Sequence, residues 1–153
     1  MERTFKIIYT SDTHGHIFPV NYAAGCGESS GLLNLAAQID KNGNTLVLDG
    51  GDSLQGTPLV QYYLAHADEF PHHPVAEAFN AMGCDYFTLG NHDFNFGYDA
   101  LRAYLCAMDG VCLCANVQDL GGALPLLPET VHTLKNGLRI GITGIVTDYV
   151  NVW

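Results

Sequence analysis

Three short blocks of this chain carry side chains of the kinds that bind divalent metals. They are Asp12-Thr13-His14, Gly51-Asp52 and Gly90-Asn91-His92-Asp93. Carboxylate oxygen, imidazole nitrogen and amide oxygen in one set favour Mn²⁺, Zn²⁺, Fe or Co over an all-oxygen Ca²⁺ cage. The neighbouring glycines permit tight turns and close backbone approach. Each block follows a short apolar run, at residues 5–10, 45–48 and 86–89. In open α/β sheets ligands sit beyond the carboxyl ends of the strands. Three strand ends can therefore deliver these groups to one crevice.

The elements around these blocks alternate. Leu32, Leu35, Ala36 and Ile39 share one helical face within residues 32–40, after a glycine-rich loop at 24–31. Pro58 opens a helical stretch to about His66. Val75, Ala78, Phe79 and Met82 recur at i, i+3, i+4 and i+7, with Gly83 as the C-cap. Asp99 opens a further helix through Leu101, Leu105 and Met108, and residues 111–115 form a strand. After a Gly/Pro-rich loop, residues 129–134 and 138–145 read as two strands that turn at Asn136-Gly137. The expected fold is α/β and layered, with a parallel element and antiparallel character from the closing hairpin. No repeat or linker divides the chain, so one domain is expected. The segment Phe70-Pro71-His72-His73-Pro74 reads as a solvated loop, and His16, His66 and His132 as surface residues. Tyr62, Tyr63, Tyr98 and Tyr104 read as packing residues of amphipathic helices.

Composition narrows the function classes. The chain has 153 residues, 48% hydrophobic and 14% charged, with six basic against sixteen acidic side chains and a net charge of −10. That balance excludes a disordered chain and predicts no attraction to nucleic acid. No apolar run approaches the roughly 18–20 residues of a membrane span, and no apolar leader precedes residue 5. A cytoplasmic location with five reduced cysteines is the resulting expectation. Cys112-Leu113-Cys114 alone supplies half of a tetrahedral zinc set, so a zinc–thiolate site is not expected there.

The blocks resemble those of the calcineurin-like metallophosphoesterase superfamily. The longer matches resemble its 5′-nucleotidase and 2′,3′-cyclic-nucleotide phosphodiesterase branch: Thr10-Ser11-Asp12-Thr13-His14-Gly15, Gly51-Asp52-Ser53-Leu54-Gln55-Gly56-Thr57-Pro58, and Phe79-Asn80-Ala81-Met82-Gly83-Cys84-Asp85 leading into Thr88-Leu89-Gly90-Asn91-His92. The resemblance runs to Gly141-Ile142-Thr143-Gly144. It implies a layered sandwich with a mixed sheet and hydrolysis of nucleotide or related phosphate esters at two divalent ions. It further implies that Asp12 and His14 bind the first metal, Asp52 bridges both and Asn91 binds the second. His92 stands near the phosphate and stabilises charge or protonates the leaving alkoxide. Two divalent ions bring +4 where Asp12 and Asp52 bring −2, which reconciles an acidic chain with a phosphate substrate.

The chain departs from the family pattern in two respects. Many 5′-nucleotidases have an aspartate three residues after the histidine, which orients it. Here that position is Asn95, so a His–Asp dyad does not carry over. Asn95-Phe96-Gly97 looks more like the cyclic-nucleotide phosphodiesterase branch, and Asp93 stands where that branch often has glutamate. Asp93 and Asp49 are expected to support the site rather than bind metal. The family's later metal-binding histidines, one alone and a Gly-His-x-His pair, have no counterpart before Trp153, and neither does its C-terminal nucleotide-binding domain. Residues 1–153 are thus expected to be the N-terminal portion of a catalytic domain with an incomplete second metal site. Such a portion is expected to associate with itself or with a C-terminal piece. The rival expectation is a non-catalytic fragment, or a metal-binding half that needs a partner chain.

Overall fold

The computed structural model describes residues 2–152. Strand β1 (Lys6–Thr10) leads into the first metal-type block and then a small antiparallel pair, β2 (Val20–Asn21) and β3 (Cys26–Gly27). Helix α1 (Leu32–Ala36), strand β4 (Thr45–Asp49) and helices α2 (Pro58–Ala65) and α3 (Pro74–Met82) follow. Next come β5 (Tyr86–Phe87), α4 (Tyr98–Ala107), β6 (Val111–Leu113), β7 (Leu126–Leu127) and the hairpin β8 (Glu129–Thr133) with β9 (Arg139–Thr143).

Local chemistry accounts for the helix ends. Thr57 accepts a hydrogen bond from the Val60 N–H, and Pro58 takes the first helical position, where its missing N–H costs nothing. Gly83 closes α3 in the left-handed conformation at φ 68°. Helix α3 buries Val75, Ala76, Ala78, Phe79 and Met82, close to the expected apolar face.

The main sheet has the order β1-β4-β5-β6-β7, and every neighbouring pair is parallel. This order brings the carboxyl ends of β1, β4 and β5 side by side. Strand β4 lies between two neighbours, and its Thr45, Leu46, Val47 and Asp49 are all buried, as a central parallel strand requires. The antiparallel pairing lies outside this sheet, in β2–β3 and β8–β9. The β8–β9 turn docks beside the starts of β1 and β4, where the Asn136 side-chain N–H donates to Thr4 O at 2.9 Å and Lys135 N–H to Gly43 O at 2.8 Å. Strand β7 lies inside the segment read as a Gly/Pro-rich loop. Its two residues stand between Pro125 and Pro128, and turn signals masked them.

Two sequence expectations are corrected here. His73 is buried, not solvated. Its Nδ1 accepts the Ala76 N–H and caps α3, while its ring packs on Tyr63 and Tyr104 at centroid distances of 4.7 and 5.2 Å. Of the four tyrosines, Tyr104 is buried in the core, but Tyr62 and Tyr98 are exposed. Their helices turn only part of a short amphipathic surface toward the sheet.

The core joins Val47, Leu54, Val60, Phe79, Phe87, Tyr104 and Leu105. In β1 the pleat splits the apolar residues between two faces. Ile8 packs on the core, whereas Ile7 and Tyr9 are 47% and 64% exposed. All five cysteines are free. Among the described residues no helix is long and apolar enough to cross a membrane.

Candidate metal centre

The parallel ladder of β1 and β4 continues past the strand ends and joins the first two blocks. Gly50 N–H donates to Thr10 O at 2.8 Å, Asp12 N–H to Gly51 O at 2.9 Å and His14 N–H to Asp52 O at 2.9 Å. The third block arrives from β5 as a 3₁₀ turn over Asn91–Phe94. His92 N–H donates to Asp52 Oδ1 at 2.8 Å, which pins this turn to the second block. The approach needs glycine: a Cβ on Gly90 would lie 2.1 Å from Asp52 Oδ1.

Asp12, His14 and Asp52 each offer one donor atom, all within 4.8 Å of one another. Among the described residues these same three are the only non-glycine residues at positive φ, at 54°, 48° and 57°. Left-handed backbone costs a non-glycine residue about 1 kcal/mol or more. Three such costs are concentrated on the three donors. The side chains meet because the backbone is held in conformations that the isolated loops would avoid. Beside Asp12 an open cleft of about 640 Å³ is lined by Tyr9, Ser11, Asp12, His16, Ser29 and Ser30, among others.

The residues around the trio hold it in place. His14 Nδ1 lies 2.7 Å from Gln55 O, so this nitrogen carries the proton and Nε2 carries the lone pair suited to a metal. Asp93 is buried beneath both loops, where Oδ1 accepts from Ser53 N and Leu54 N and Oδ2 from Asp52 N and Gly90 N, at 2.8–3.0 Å. Burial pushes its carboxyl pKa up against these four donors, which pull it down. Asp49 is also buried. It accepts from Thr10 Oγ1 at 2.6 Å, Gly51 N at 2.9 Å and Ser53 Oγ at 3.2 Å. Asn91 opens the 3₁₀ turn next to His92. His92 and Asn95 both meet the side chain of Gln55, a residue to which the sequence reading gave no role.

Two buried groups set an opposed pH dependence of stability. Burial raises Asp49 from 3.8 to about 6 and lowers His73 from 6.5 to about 4. The folded state prefers neutral His73, so its contribution is full above pH 6.5 and is lost as pH falls toward 4. The folded state also prefers protonated Asp49, so that contribution is full below 3.8 and is lost as pH rises toward 6. Each is worth about 3 kcal/mol, and the two slopes oppose each other across the same window. In urea unfolding in chelator the Asp49 and His73 contributions should therefore offset each other in the parent between pH 4 and 6.5, while Asp93, whose carboxyl pKa is also raised by burial, adds slope in the Asp49 direction. Asp49→Asn should lose stability as pH falls, and His73→Leu should gain it. Parallel profiles for both variants would contradict the assignment.

A family model described as calcineurin-like phosphoesterase matches residues 5–149. The chain belongs to this family. The trifunctional nucleotide phosphoesterase protein YfkN of Bacillus subtilis is 31% identical over 97% of this chain and 11% of its own length. A crystal structure of calcineurin-like phosphoesterase YfkN from that organism has a TM-score of 0.80, covering 96% of this chain and 49% of that one. A 2′,3′-cyclic-nucleotide 2′-phosphodiesterase/3′-nucleotidase of Salmonella typhimurium is 31% identical, covering 97% of this chain and 25% of its own length. A 5′-nucleotidase of Diplobatis ommata is 30% identical, covering 90% and 25%. The chain thus spans between 11% and 25% of the length of these relatives. Calcineurin-like phosphoesterases are metal-dependent hydrolases, and the donor chemistry of Asp12, His14 and Asp52 fits a divalent ion.

Proposed function

We propose that this chain carries the metal-binding part of a phosphoesterase that hydrolyses nucleotides or related small phosphate esters. In this reading Asp12, His14 and Asp52 hold one ion, Mn²⁺, Zn²⁺, Fe or Co. Asp52 would be shared with a second ion, which Asn91 would also hold. The ions, when bound, supply positive charge that offsets the phosphate and the charge developing on the displaced oxygen. His92 would stand beside the phosphate and, as imidazolium with its second proton on Nε2, would give that proton to the leaving alkoxide. The cleft beside Asp12 offers room for the rest of the ester. One observation carries the reading: the three donors are also the three strained non-glycine residues. Backbone strain that coincides with a donor set indicates a functional constraint.

A second reading has its own support. Phe5, Ile7 and Tyr9 form an exposed apolar strip on and beside β1, as a surface awaiting further protein would. In that reading the chain binds metal but hydrolyses nothing alone.

Equilibrium dialysis of the whole chain against Mn²⁺ or Zn²⁺, followed by elemental analysis, separates the two readings when paired with turnover of AMP and 2′,3′-cyclic AMP. Retained metal with turnover supports the first reading. Retained metal without turnover supports the second reading, and a chain that retains no divalent ion overturns both.

A further inference from the structure

We infer that Gln55 is a positioning residue that sets the tautomers of both site histidines, His14 through its main chain and His92 through its side chain. Gln55 O lies 2.7 Å from His14 Nδ1, and Gln55 Oε1 lies 3.0 Å from His92 Nδ1. A backbone carbonyl only accepts, so His14 Nδ1 must carry the proton. An amide oxygen also only accepts, so the same holds for His92 Nδ1. In neutral form, both rings then have their lone pair on Nε2. The two imidazoles stand edge to face with centroids 5.5 Å apart, so one residue sets a pair that works together.

Asn95 fits this arrangement. Its Nδ2 donates to Gln55 Oε1 and lies 3.1 Å from His92 Nδ1. Were Asn95 to donate to His92 instead, Nδ1 would hold a lone pair and face Gln55 Oε1 acceptor to acceptor at 3.0 Å. With both amides oriented as in the structure, Gln55 Oε1 accepts twice, once from His92 and once from Asn95. Position 95 is an amide, so no carboxylate orients His92 from there, and the Gln55 side-chain amide on the Asp52 loop takes that task. Unlike a carboxylate, this amide fixes the ring without adding negative charge beside a phosphate.

This inference concerns the site of the proposed function but can fail independently of it, because its test uses neither metal nor substrate. Long-range ¹H–¹⁵N correlation spectra of the metal-free whole chain, in mildly alkaline buffer where an ordinary imidazole is neutral, read the tautomer of each ring directly. The parent should show the Nδ1–H pattern at both His14 and His92. Gln55→Leu should lose that pattern at His92 alone, because His14 uses the retained main-chain carbonyl. Gln55→Glu keeps an acceptor at the same place and should retain both. An Nε2–H pattern at His92 in the parent would overturn the inference without any variant. So would an Nδ1–H pattern at His92 that persists in Gln55→Leu.

Discussion

Asp52→Asn should weaken divalent-metal binding by more than about 100-fold while leaving the metal-free fold intact. Even residues that only support a metal ligand are worth about 10–100-fold in affinity, and a charged donor shared between two ions should exceed that range. The substitution is well suited to separate binding from folding. Asparagine tolerates positive φ, so the residue at 57° gains no strain, whereas alanine would. The amide oxygen can still accept the His92 N–H, now held at 2.8 Å, and the volume is unchanged. The variant also removes one of two carboxylates crowded within 4.8 Å, so the metal-free protein should unfold at the same temperature or slightly higher. Isothermal titration with Mn²⁺ reads the first effect and calorimetric unfolding in chelator the second. Parent-like metal affinity would remove Asp52 from the centre. A metal defect accompanied by a large fall in Tm would show that Asp52 acts mainly on the fold.

The candidate donor set of this chain was more legible than the geometry that assembles it. Asp12, His14, Asp52 and His92 stand out because unusual side chains follow apolar runs, and parallel topology brings strand ends together. Helix α3 was readable from Val75, Ala78, Phe79 and Met82 because its period and its Gly83 cap agree. Positive φ at three donors was not readable. Such backbone is uncommon for any non-glycine residue, and although Asn, Asp and His adopt it more often than others, only the tertiary frame places it on all three donors. Gln55 was equally hidden. Its role depends on His92, 37 positions away, and a lone glutamine in a loop carries no chemical signature. His73 was misread because prolines on both sides signal a loop, whereas Pro74 here is the first residue of a helix that His73 caps.

Asp93→Ala should be the most damaging substitution for stability, lowering it by about 4 kcal/mol and Tm by about 10 °C. The carboxylate is 1% exposed and takes N–H donors from Gly90 in one loop and from Asp52, Ser53 and Leu54 in another. Alanine leaves these four donors without their acceptor. A buried donor left unpaired costs about 1–3 kcal/mol, and water entering the small cavity recovers part of the sum. Asp93→Asn is a graded test: the amide nitrogen it introduces turns a donor toward two of the four N–H groups, so this variant should cost about half as much. Asp93→Glu keeps the charge but adds a methylene to a closed site and should cost about 1–3 kcal/mol. Urea unfolding in chelator at fixed pH orders the three variants. Metal binding should fail along with stability, because three of these bonds, from Asp52, Ser53 and Leu54, hold the Asp52 loop against the Asn91–Phe94 turn, and the fourth, from Gly90, closes the turn itself. Were Asp93→Ala to unfold within about 1 kcal/mol of the parent, the two loops would have another tie. The positioning of Asp52 would then rest on the bond from His92 N to its Oδ1, together with the β1–β4 ladder bonds from Asp12 N to Gly51 O and from His14 N to Asp52 O.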